Sequence, residues 1–162
     1  RRSGVVMGKL LNINYIEYRP ATKSLDLFVA GCLQPHCKDC CNPELIDFNN
    51  GQEWHAWKDT LEGYLSRFDS LIDNIFLLGG SFNHQDETAV KEILSYLSFF
   101  NKKIWLFARE DLSKIQSAFK EYCEYIKCGA YIPNLYTTKN IQEGVRLATS
   151  NQKIYKKGRD YV

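Results

Sequence analysis

Short apolar runs alternate with segments of helical periodicity through most of the chain, and this order limits the possible folds more than any other feature. The first run, residues 24–30, reads as a strand. After the turn signal Asn49-Asn50-Gly51, the residues Trp54, Trp57, Leu61, Tyr64 and Leu65 recur at helical spacing. Residues 74–78 give a second strand that ends at Gly79-Gly80, and Val90, Ile93, Leu94, Leu97 and Phe100 mark a second helix. A third strand at 104–107, a third helix outlined by Leu112, Ile115, Phe119 and Tyr122, and a fourth strand at 125–131 follow. Strands separated by helices pair in parallel, because a parallel pair needs a crossover connection and that crossover is usually a helix. The 162 residues fall short of the about 250 of a closed eight-unit barrel. The expectation is an α/β fold: an incomplete (β/α) barrel with a mostly parallel curved sheet, and a tail from residue 134 onward left unassigned.

One domain over residues 7–162 is expected, with residues 1–6 read as an expression or processing remnant because the single Met is Met7. A formal charge of +2 with scattered Lys and Arg gives no basic footprint, which argues against nucleic acid as partner. No apolar stretch reaches the roughly 18 residues of a spanning helix, so a soluble, cytoplasmic protein is expected. Without a secretory signal, the six cysteines fit metal or redox chemistry better than a disulfide framework.

The chemistry concentrates in the loop after the first strand, Gly31-Cys32-Leu33-Gln34-Pro35-His36-Cys37-Lys38-Asp39-Cys40-Cys41. Thiolate is a soft ligand, and Cys32, Cys37 and Cys40 can hold an iron–sulfur cluster with one iron left open to a chelating molecule. A structural zinc site, completed by His36 or Cys41, is the plain alternative. Gly79-Gly80 follows the second strand and Ala108-Arg109-Glu110 the third, so these motifs share the rim where parallel α/β folds bind ligands. Arg109 with Glu110 can also be a solvated surface pair, and His84 a surface or capping residue. Cys123 and Cys128 read as small buried hydrophobes.

The segments Leu27-Phe28-Val29-Ala30-Gly31-Cys32, Cys37-Lys38-Asp39-Cys40-Cys41-Asn42, Gly79-Gly80-Ser81-Phe82-Asn83-His84, Lys103-Ile104-Trp105-Leu106-Phe107 and Ser150-Asn151-Gln152-Lys153-Ile154-Tyr155 run in the order of a known family. On them the chain resembles the radical S-adenosylmethionine superfamily, specifically the anaerobic ribonucleotide reductase activating enzymes, which are glycyl-radical activases. The resemblance implies a 4Fe-4S cluster on Cys32, Cys37 and Cys40, with S-adenosylmethionine on its open iron. It also implies a cofactor-binding set of Asp39, Gly79, Gly80, Ser81 and Arg109. Reductive cleavage of the cofactor would yield a 5′-deoxyadenosyl radical, which abstracts hydrogen from a glycine of a glycyl-radical partner enzyme. A flavodoxin- or ferredoxin-type protein would donate the electron. The chain departs from the family pattern at several places. Four residues separate Cys32 from Cys37 where the family has three, Ser81 stands where an acidic residue is usual and Phe82 where Pro is, Ala108-Arg109 replaces Thr-Gly, and Cys128-Gly129-Ala130 replaces Asp-Gly-Lys. These departures keep open a compact radical enzyme acting on a small molecule or modified base, and a metal-binding module without catalysis.

Overall fold

The structure is a computed structural model that describes residues 10–37, 40 and 42–162. The expectation for residues 1–6 and for a start at Met7 lies outside the described residues.

A hairpin opens the fold. Strand β1 (Asn12–Arg19) runs antiparallel to β2 (Ser24–Val29), and the short turn at Pro20–Thr22 closes on Lys23 in the left-handed region. A two-residue strand β3 (Gln52–Glu53) pairs with the outer side of β1. Helix α1 (Lys58–Arg67), β4 (Asn74–Gly79), helix α2 (Glu87–Ser98), β5 (Lys103–Phe107), helix α3 (Ser117–Tyr122) and β6 (Tyr125–Cys128) follow in alternation. Asp86 caps α2 by accepting from the amides of Thr88 and Ala89, which satisfies donors that a helix start leaves without partners. The chain then forms a hairpin of β7 (Tyr136–Gln142) and β8 (Val145–Thr149), and returns to the main sheet as β9 (Lys153–Lys156).

The strand order of the main sheet is β3-β1-β2-β4-β5-β6-β9. This corrects the expected incomplete (β/α) barrel with a mostly parallel sheet. Only β2–β4, β4–β5 and β5–β6 are parallel, whereas β1–β2, β1–β3, β6–β9 and the β7–β8 hairpin are antiparallel. The reason lies in the connections. A turn too short for a crossover joins β1 to β2, and a hairpin in place of a helix lies between β6 and β9, so β1 and β9 run against the sheet's centre. Helices are correspondingly few.

The main core lies between the sheet and the helices. Leu25, Leu27, Ile75, Leu77, Leu106 and Ile126 from the strands meet Leu61 and Leu65 of α1, Ile93 and Leu97 of α2 and Phe119 of α3. The opposite face carries Phe76, Trp105, Tyr125 and Ile154, covered by Leu147 of β8. Both faces of the central strands are therefore buried, and β2 is buried at every residue. Among the described residues no helix is long and apolar enough to cross a membrane.

Candidate functional site

The carboxyl ends of β2, β4, β5 and β6 lie on one rim, since these strands are parallel and in register. The loop after β2 is closed at its base by backbone bonds from the Gly31 amide to the Leu45 carbonyl (2.8 Å) and from the Cys32 amide to the Ile46 carbonyl (3.1 Å). Gly31 sits at φ 115° with the Phe48 ring where a Cβ would stand, so a side chain is excluded there. Cys32, Cys37 and Cys40 are free, partly buried thiols that line a single cleft of about 670 Å³. Gly79, Gly80, Ser81 and Arg109 line the same cleft. Phe28, Phe76, Leu78 and Phe107 form its apolar wall on the sheet, and Val145 and Leu147 of β8 bound it on the other side. Asp39, proposed from the sequence as a cofactor contact, lies outside the described residues, as does Cys41.

The glycine pair is set by neighbouring backbone. A Cβ on Gly79 would stand 2.4 Å from the Val29 amide nitrogen, and one on Gly80 would stand 2.5 Å from the carbonyl oxygens of both Gly31 and Leu45. The amides of Gly80 and Ser81 donate to Val29 and Gly31 carbonyls, each at 2.8 Å. Close approach of the end of β2 to Gly79, and of the cysteine loop to Gly80, therefore already requires both glycines. Ser81 is buried beside them, and its Oγ has no hydrogen-bond partner among the described residues.

Arg109 does not stand in solvent with Glu110, as a plain surface pair would. Its side chain is 19% exposed and that of Glu110 is 17% exposed. The guanidinium donates from Nη2 to the Leu33 carbonyl (2.7 Å), from Nη1 to the Pro35 carbonyl, and more weakly from Nε to Glu110 (3.4 Å). His84, also buried, accepts from the Leu33 amide at Nδ1 (2.9 Å) and shares the Nε2 proton with Glu110 (2.5 Å). Cys32 hydrogen bonding and then Glu110 push the His84 pKa up to about 9, against its burial. Burial works against charge on Glu110, yet hydrogen bonds from His84 and Asn83 outweigh it and hold its pKa at about 2. In the neutral imidazole the Leu33 amide fixes the tautomer, with the proton on Nε2 facing Glu110; protonation adds a hydrogen at Nδ1 and turns that nitrogen from acceptor to donor.

Periodicity and spacing did not reveal the residues that brace this rim. Gln85 donates from Nε2 to the carbonyls of Ala30, Gly31 and Ser81, which joins the start of the cysteine loop to the end of β4. Lys127 of β6 lines the cleft and donates to the Ala108 and Gly129 carbonyls. Both act through backbone carbonyls, which carry no residue signature. Cys123 and Cys128 are buried away from the loop, and burial raises both thiols, Cys128 to about 11.

The donor set fits a cluster. Three thiols reach one cleft from one loop, as a site-differentiated 4Fe-4S cluster requires. Among the described residues no three His, Cys, Asp or Glu side chains converge as ligands of a single metal ion, and Cys41, one of the two candidates to complete a zinc site, lies outside them. Neither the curated proteins nor the solved structures contain a match to the chain. A family model described as a 4Fe-4S single cluster domain matches residues 22–155, from the turn before β2 into β9. That span takes in the cysteine loop and every strand end on the rim, and the chain belongs to the 4Fe-4S single cluster domain family.

Proposed function

We propose that this iron–sulfur protein is a radical enzyme that reductively cleaves S-adenosylmethionine and generates a glycyl radical on a partner enzyme of the anaerobic ribonucleotide reductase kind. One observation carries the reading: the Ser81 hydroxyl is buried, without a partner among the described residues, on the wall of the cleft that Cys32, Cys37 and Cys40 line. A buried hydroxyl left without a partner is unfavourable, by roughly 1–3 kcal/mol, so its presence favours a ligand that completes it. The cofactor's amino group is such a donor, and Ser81 stands where related enzymes use an acid. When bound, the reduced cluster would supply one electron to the sulfonium of S-adenosylmethionine, and breaking the carbon–sulfur bond would leave methionine and a radical able to abstract hydrogen.

The chain's own residues do the rest. Cys32, Cys37 and Cys40 hold the cluster, and Ser81 Oγ accepts from the amino group. Phe28, Phe76, Leu78 and Phe107 keep water from the adenosyl side. The substrate glycine comes from the partner, and the electron from a flavodoxin- or ferredoxin-type donor. A second reading, a cluster-binding module without catalysis, draws on the rim cations: Arg109 and Lys127 already donate to backbone carbonyls, which weakens either as a carboxylate anchor.

Anaerobic reconstitution with iron and sulfide, reduction in the presence of S-adenosylmethionine, and chromatography for 5′-deoxyadenosine test the proposal. Product that disappears in Cys32→Ala, Cys37→Ala and Cys40→Ala is the expected result. A loaded cluster with no product, partner enzyme supplied, favours the binding module.

A further inference from the structure

We infer that Arg109 is the positioning residue of the cluster loop, held by Glu110 and assisted by His84, and that it governs both cluster retention and cluster reduction potential. The inference rests on the cluster reading of the site and not on radical chemistry.

Cys32 and Cys37 are separated by four residues, and a longer span between two ligands has more conformations to lose when both must meet one cluster. Side chains from the neighbouring strand ends, Arg109 foremost, remove that freedom. The Arg109 guanidinium binds the carbonyls of Leu33 and Pro35, which both lie in that span, while Glu110 holds the guanidinium from behind. His84 takes the amide of Leu33, so this residue is fixed at both its N–H and its C=O. Two planar donors on one rigid fork suit two carbonyls at a set separation, which a lysine ammonium cannot match.

The same group bears on the cluster's charge. Three thiolates on a 4Fe-4S core form an anionic assembly, and the Arg109 cation lines the same cleft as Cys32 and Cys37 and is tied to the backbone between them. Reduction adds a further negative charge, and a cation fixed beside the ligand loop favours the reduced state. Outer residues that orient metal ligands typically alter metal affinity 10–100-fold when changed. Glu110 and Arg109 leave β5 on consecutive residues, so the third strand of the rim sets the geometry of the loop that follows the first.

The test uses the whole chain, loaded anaerobically, as wild type and as Arg109→Met, Arg109→Lys and His84→Gln. Iron and sulfide per chain, the rate of iron loss to a chelator and the midpoint potential by spectroscopic titration are the readouts. Arg109→Met is expected to lose iron roughly 10–100-fold faster and to titrate at a lower potential. Arg109→Lys should keep most of the potential, because the charge stays, while losing iron faster, because the fork is gone. His84→Gln, whose amide oxygen can still accept from Leu33, should stay near wild type. Circular dichroism of the unloaded variants separates loss of fold from loss of the clamp, and if Arg109→Met does not fold, Arg109→Lys decides. An Arg109 variant that folds, loads and matches wild type in both retention and potential overturns the inference. A wild-type chain that takes up no cluster overturns the cluster reading beneath it.

Discussion

Asp26 is a carboxylate in the middle of the most buried strand, with no exposed surface. The Ser24 hydroxyl donates to its Oδ1 at 2.6 Å, and Arg19 Nη2 lies 3.0 Å from Oδ2 as an ion pair without hydrogen-bond alignment. Burial outweighs both partners and raises its pKa above the ordinary 3.8. A group whose folded pKa is raised is most favourable while protonated. Its contribution is therefore full below about 3.8, the unfolded value, and falls as pH rises through the folded value. Asp26→Asn keeps a group that accepts from Ser24 and removes the charge. Melting curves from acid to neutral pH should show the variant gaining on wild type as pH rises. A gap that moves the other way would mean that the Arg19 pair dominates. Other residue roles were partly legible in the sequence. The three loop thiols and the glycine pair stand out by type and spacing, and they do meet at one cleft. What the glycines are for was not legible, since the atoms that exclude a Cβ at Gly80 are carbonyls of Gly31 and Leu45.

At the scale of elements, the central strands and the helix faces were legible because apolar periodicity reports burial directly. The edges were not. β1 is not among the strands read from apolar runs, because Asn, Glu and Arg interrupt its Ile and Tyr residues, yet it pairs with β2 along its length. The third helix begins as a 3-10 turn at Leu112–Lys114 and restarts at Ser117, because Gln116 is drawn to Asn83 by its amide and its side chain. Residues 134–149 were unassigned, and they form the hairpin. Its side chains also close the outer edge of β9: Gln142 accepts from the Ile154 amide, and Asn140 and Gln142 donate to the Gln152 carbonyl. That side-chain cover leaves few free backbone groups for another chain to pair with. The hairpin's apolar anchor is Leu147, 4% exposed against Phe76 and Trp105, whereas Ile141 is 63% exposed. Leu147→Ala should cost about 2–5 kcal/mol in a denaturant titration, and Ile141→Ala no more than about 0.5 kcal/mol. Equal effects would mean that the hairpin does not pack on the sheet as a lid.

The whole molecule divides its work between two faces. The helix side holds a continuous apolar core that includes residues of β1, β2, β4, β5 and β6 but none of the three loop cysteines. The cleft lies on the other face, beneath β8, and the cysteine loop is joined to the sheet through Gln85, Arg109, His84 and the two backbone bonds at its base. Small metal domains commonly unfold when stripped, because the metal supplies their folding free energy. Here the apolar core supplies it, so the cluster's influence on stability should be confined to the loop. Hydrogen exchange read by mass spectrometry can compare the loaded protein with the chelator-stripped one. Peptides spanning residues 31–46 should lose protection on stripping, while those from β4, α2 and β5 keep it. Ligand linkage still raises the loaded protein's melting temperature, because the folded loop binds and the unfolded chain does not. Loss of protection across β4 and β5 would instead make the cluster a structural element of the sheet. In that case the rim could not be altered for function without unfolding the protein, and the cluster could not be exchanged or repaired in place.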